Sequence, residues 1–159
     1  MTDVDVEISN NLFHDNELTS TTPVSIEDPP TLGWVYNNVW SRNVHGYALI
    51  SPAPELLFEN NIIHDSTGGG IDVRWAGDDV AYNNSYGNSD YDWQTSTGSS
   101  PPGTNISVDP RFVDAANADF SLTTGFSPCI DAGNPLIGYN DADGSRNDLG
   151  AFGGPGGPW

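Results

Sequence analysis

Val6-Glu7-Ile8-Ser9-Asn10-Asn11-Leu12-Phe13-His14-Asp15-Asn16 returns 50 residues later as Leu56-Leu57-Phe58-Glu59-Asn60-Asn61-Ile62-Ile63-His64-Asp65-Ser66. Two more copies follow the same pattern. One is Trp34-Val35-Tyr36-Asn37-Asn38-Val39-Trp40-Ser41-Arg42-Asn43, and the other is Val80-Ala81-Tyr82-Asn83-Asn84-Ser85-Tyr86-Gly87-Asn88-Ser89. The Asn-Asn pairs begin at positions 10, 37, 60 and 83, so successive copies are 27, 23 and 23 residues apart. A second short alternating stretch recurs in the same phase, at Val24–Glu27, Ala48–Ser51 and Ile71–Arg74. The extra residues of the first copy fall mostly in Glu17–Pro23, which reads as a loop insertion.

A period near 23 with two or three short strands per copy fits few architectures. Leucine-rich repeats have the length but need a leucine ladder, and propeller blades are about 40 residues or longer. One turn of a parallel β-helix fits, each strand stacking on its counterpart at about 4.8 Å. The asparagine column then has a physical purpose. Asn tolerates a left-handed corner, and its amide can hydrogen-bond to the Asn of the next coil. The fold expected is all-β, a right-handed parallel β-helix of about four coils. Residues 1–93 form the coils, 94–104 a loop, and 105–159 a closing module packed on the last coil.

Alternation within the strands sorts inward from outward side chains. Ile8, Val35, Phe58 and Ala81 are expected inside, as is the bulky column Phe13, Trp40, Ile63 and Tyr86. His14, Ser41, His64 and Gly87 form another column, beside Asp15, Arg42 and Asp65.

The coil pattern, with Gly69-Gly70-Ile71-Asp72-Val73, resembles the right-handed β-helix repeats of pectate-lyase-like proteins, over roughly residues 3–93. Val108-Asp109-Pro110-Arg111-Phe112-Val113-Asp114 and Ser127-Pro128-Cys129-Ile130-Asp131-Ala132-Gly133 resemble the closing module of bacterial secreted β-helix proteins. Asp141-Ala142-Asp143-Gly144 through Gly154 completes that likeness, while Cys129 stands where the module commonly has a smaller residue. The resemblance implies an extracellular or cell-surface polysaccharide-binding or polysaccharide-degrading protein. Its closing module would follow the last coil and cap it. The first coil would be covered by further coils upstream or by a second chain. Met1-Thr2-Asp3-Val4-Asp5 has neither a basic nor an apolar segment, so an export signal is expected upstream.

Composition narrows the partners. The chain carries 22 acidic and 4 basic residues, a formal charge of −18, and no lysine. That balance excludes nucleic acid as a partner, because phosphates need neutralising by Lys or Arg. No apolar run reaches the ~18 residues of a membrane span. Gly and Pro are too frequent for long helices, and the single Cys129 can form no intramolecular disulfide.

The candidate site residues follow from these columns. In related polysaccharide lyases a basic residue abstracts a proton beside a uronate carboxylate, and Ca²⁺ or Arg often neutralises that carboxylate. Here the catalytic candidates are His64, Asp72 and Arg74, and the missing lysine weakens this reading. Glycosidases use paired carboxylates instead, and no concentrated Asp-Asp pair lies on a strand face. Trp34, Tyr36 and Trp75 are candidates for stacking on sugar rings. Asp141, Asp143 and Asp148 resemble half of a calcium loop, with turn-capping as the alternative role. Three functions are therefore expected: a scaffold that contacts acidic polysaccharide, an adhesive structural protein assembling through its first coil, or a uronate lyase or epimerase.

Overall fold

The computed structural model describes residues 6–17, 33–44, 48–49, 56–73 and 80–157. The expected strand Val24–Glu27, Arg74 and Trp75 lie outside them. The repeats form β1 (Val6–Ser9), β2 (Leu12–His14), β3 (Gly33–Tyr36), β4 (Val39–Ser41), β5 (Ala48–Leu49), β6 (Leu56–Glu59) and β7 (Ile62–His64). They continue as β8 (Ile71–Asp72), β9 (Val80–Ala81), β10 (Asn84–Tyr86) and β11 (Trp93–Gln94). All pair in parallel, in three sheets ordered β1-β3-β6-β9, β2-β4-β7-β10 and β5-β8-β11. In the second, third and fourth repeats the chain visits these sheets in the same order, and the first two strands of each repeat lie against those of the one before it. The protein is all-β, with parallel sheets compatible with a β-solenoid.

Sharp corners keep the strands short. Asn10, Asn37, Asn60 and Tyr82 have φ of 51–58°, and Asp15, Arg42 and Asp65 have φ of 52–54°. This left-handed conformation costs other L-residues more than Asn or Asp, whose short polar side chains bond locally. Gly87, at φ 75°, takes the second corner in the fourth repeat.

The second asparagine of the first three pairs and the first asparagine of the fourth build the ladder. The backbone N–H and side-chain Nδ2 of Asn11 both donate to Asn38 Oδ1, at 3.0 and 3.1 Å. Asn38 donates in the same way to Asn61, Asn61 to Asn83, and Asn83 to Asn105. Asn105 is a fifth rung that the repeat pattern does not reveal. A second, mixed ladder follows the other corner. Asn16 donates to Asn43 Oδ1, Ser66 N–H donates to Asn88 Oδ1, and Asn88 donates to Asp92 Oδ1.

The fourth repeat departs from the expected register by one residue. Asn83, and not Asn84, continues the ladder, which places Asn84 opposite Ile62 and Val80 opposite Phe58. A one-residue slip turns every side chain to the other face. Val80 therefore enters the core in place of Ala81, and Ser85 stands beneath Ile63 in place of Tyr86, which is 37% exposed. Buried Trp93 pairs with Ile71 and joins the same core as Ile63, while Ser85 Oγ donates to the Asp92 carbonyl at 2.6 Å. The inner core is Val35, Trp40, Phe58, Ile63, Ile71, Val80 and Trp93, with Phe13 stacked on Trp40 at 5.3 Å.

After the last repeat come β12 (Phe112–Asp114) and β13 (Asp119–Leu122), an antiparallel hairpin. A short 3₁₀ turn follows at Ile137–Tyr139. This segment runs back along the outer flank of the second sheet and touches every repeat. Asn84 Nδ2 meets Cys129 Sγ, Gly150 N–H donates to the Asn60 carbonyl, and Asn37 Nδ2 donates to the Asp148 and Gly150 carbonyls. Asn10 Nδ2 donates to the Ala151 and Gly153 carbonyls. Beneath this strap Val39, Ile62, Phe120, Cys129, Leu149 and Ala151 form a second core. Among the described residues no helix is long and apolar enough to cross a membrane.

Candidate functional site

The outer face of the first sheet carries two columns fixed by its register: Glu7, Trp34 and Leu57, then Ser9, Tyr36 and Glu59. The returning strap lays Tyr139 against this face, its ring edge-on to Tyr36 with centroids 6.5 Å apart and planes at 88°. Glu7, Trp34, Tyr36, Gly138, Tyr139 and Pro155 thus enclose an open-sided groove of about 260 Å³. Tyr36 donates its hydroxyl to Glu7 Oε1 at 2.5 Å. Glu59 is held at the other side of the tyrosines by Asn134 Nδ2, 3.0 Å from its Oε2. Burial and then the adjoining carboxylates, Glu7 for Tyr36 and Glu59 for Tyr139, push both phenols above the ordinary tyrosine range. Both hydroxyls stay protonated at neutral pH and can donate or accept.

Two of the three stacking candidates, Trp34 and Tyr36, therefore meet in one groove. Trp75 lies outside the described residues. Glu7 and Glu59 were legible as outward neighbours of Tyr36, whereas nothing local marked Tyr139, 103 residues further along the chain from Tyr36.

The catalytic candidates are placed elsewhere. His64, on β7, points from the second sheet under the strap. Its ring packs edge-on to Phe112 at 5.4 Å, and its Nδ1 lies 3.3 Å from Ser41 Oγ. Burial lowers its pKa, so it is uncharged at neutral pH. His14 lies in the same column, 5.2 Å from the Phe120 ring, with Nδ1 2.8 Å from Asp15 Oδ2. Tyr86, not Gly87, follows His64 in this column. Arg42 grips Asp15 through Nε and Nη2 and lies 5.4 Å from the Phe120 centroid. That ion pair, with His14, holds the Asp15 carboxyl well below the usual range. Asp72 belongs to the third sheet, opposite Leu49 and Gln94, and is buried. His64 and Asp72 thus stand on different faces, and Arg74 lies outside the described residues.

The three calcium candidates of the strap, Asp141, Asp143 and Asp148, hold its turns. Asp141 accepts from Gly154 N–H at 2.6 Å and from Asp148 N–H, Asp143 from Ser145 N–H at 2.8 Å, and Asp148 from Asp131 N–H at 2.7 Å. Burial raises Asp141, and burial raises Asp148 to about 6, while the Ser145 bonds lower Asp143. Among the described residues no three acidic, histidine or cysteine side chains converge as a metal site. Cys129 is fully buried, and burial pushes its thiol up to about 12, so it is no nucleophile.

Comparison with known proteins finds no family model, no curated protein and no solved structure that matches this chain.

Proposed function

We propose that the chain is a section of a right-handed parallel β-helix protein acting outside the cell. In this reading it binds polysaccharide through the groove of Trp34, Tyr36 and Tyr139, as scaffold and sugar contact. One observation carries this. Aromatic side chains from two distant parts of the chain converge on an open groove beside hydrogen-bonding carboxylates. Sugar rings ask for that combination: flat apolar faces to stack on and acceptors for their hydroxyls. The solenoid part of the proposal is supported by the three parallel sheets visited in fixed order and by the asparagine ladder. None of the described catalytic candidates borders the groove, which favours binding over chemistry in this segment. Calorimetry against a panel of soluble polysaccharides tests it. Trp34→Ala is expected to weaken binding about tenfold with an unchanged melting temperature; failure of the unaltered protein to bind any of the panel refutes it.

A second reading, assembly through the first repeat, is favoured by the place of β1 and β2 as outer strands of their sheets among the described residues. Such edges are templates for pairing. At the opposite end the ladder closes on itself, because Asn105 donates to the Pro102 carbonyl. Assembly would then join the first repeats of two copies edge to edge, and a sedimentation coefficient independent of concentration would refute this reading.

A further inference from the structure

Resting on the glycan-binding reading of this groove, we infer that its preferred ligand carries protonated amino groups, an amino-sugar oligomer rather than a uronate. The lining is aromatic and anionic, with Glu7 as its charged group and no cation among the described lining residues. Glu59 adds a second carboxylate behind Tyr139. The described arginines are engaged elsewhere. Arg42 grips Asp15, Arg111 donates to the Phe126 carbonyl, and Arg146 donates to the Gly133 and Ala132 carbonyls. A uronate entering here would meet like charge, with no guanidinium among the described lining residues to receive it.

An ammonium group meets the opposite situation. Tyr36 and Tyr139 stand at right angles, so a ring face and a ring edge form a corner, with the Trp34 indole alongside. Ring faces attract cations through their quadrupole, and a carboxylate at the rim adds a direct charge. The phenols register the same field, since Glu7 and Glu59 help to raise them. The chain's net charge of −18 draws cations toward the surface and repels polyanions. The amino sugar supplies both requirements of the groove, a pyranose face for stacking and an ammonium for the carboxylate.

The test compares tetramers of glucosamine, N-acetylglucosamine and galacturonate by calorimetry at about pH 6, where the amine is charged. The glucosamine tetramer is expected to bind about fivefold or more tightly than the acetylated one, with the galacturonate weakest. Glu7→Gln should remove most of that advantage, weakening the glucosamine tetramer several-fold more than the N-acetylglucosamine one, since the amide still accepts from Tyr36 but carries no charge. Raising salt to about 0.5 M should shrink the advantage in the same way. Equal affinities for the two glucosamine-based tetramers overturn this inference and leave glycan binding standing. Tighter binding of the galacturonate overturns it as well. No binding of any tetramer overturns both. Binding of the cationic tetramer that survives Trp34→Ala shows attraction to the acidic surface at large, and also overturns it.

Discussion

Asn61 shows how much one side chain of the ladder carries. Its Oδ1 takes two donors from Asn38, and its Nδ2 reaches both Asn83 Oδ1 and the Val35 carbonyl. Asn61→Ala strands the buried Asn38 N–H and the Val35 carbonyl, and each such loss costs about 1–3 kcal/mol. We expect a loss of about 3 kcal/mol in denaturant unfolding. Asn11→Ala should cost only about 1 kcal/mol, because Asn11 is exposed and donates to the ladder without accepting from it. Equal losses at the two positions would refute the ladder's role. Asp148 offers a residue-scale test of pH. Its folded pKa of about 6 lies above the ordinary 3.8, so the native state holds its proton more tightly than the unfolded chain. This contribution is fully favourable below pH 3.8 and is lost as pH rises through about 6. Allowing for solvent screening, the ionised form costs about 1–2 kcal/mol. Asp148→Asn keeps the acceptor for Asp131 N–H. It should raise the melting temperature at pH 7 and match the unaltered protein near pH 4; a uniform change at both would remove burial of this carboxyl as the cause.

Among the elements, the strap is the one whose placement matters most. Gly150 sits at φ 88°, and a Cβ there would lie 2.9 Å from Ile62 Cδ1 and 3.0 Å from Val39 Cγ2. Gly150→Ala combines left-handed strain with a clash against branched side chains of the second core. It should loosen the strap where Gly150 N–H meets the Asn60 carbonyl. Cys129, buried under the same strap, reports the event. Its thiol should resist a disulfide reagent at pH 8 in the unaltered protein and react measurably faster in Gly150→Ala, while the inner core stays folded. Unchanged labelling would mean that this glycine does not govern closure. The histidine column belongs to the same element. His64 and His14 lie under the hairpin of Phe112 and Phe120, which gives them packing partners and accounts for their bulk-tolerant place on the sheet.

At the scale of the whole molecule, 22 carboxylates against 4 guanidinium groups oppose compaction. Salt screens such repulsion over about 10 Å at 0.1 M and about 3 Å at 1 M. The melting temperature should therefore rise steadily from low salt to about 1 M sodium chloride; a flat profile would show that local pairs such as Asp15–Arg42 already offset the excess.

The repeat, the parallel strands and the corner asparagines were legible because each is a short-range rule. A left-handed corner, a two-residue alternation and a donor-acceptor amide act within one coil or between neighbours 22–27 residues apart. Trp34 and Tyr36 were readable for the same reason, as outward positions of one strand. Local rules ran out where two registers were almost equally good. In Asn83-Asn84 either residue could join the ladder, and the structure seats Asn83 there, bonded to Asn105, with Val80 in the core. They ran out again wherever the strap arrives from far along the chain. Nothing near His64 announces Phe112, nothing near Cys129 announces Asn84, and nothing near Tyr36 announces Tyr139. The amino-acid order by itself determined the coil and its corners. Which outward faces became buried, and which became a groove, only the long-range packing of the strap decided.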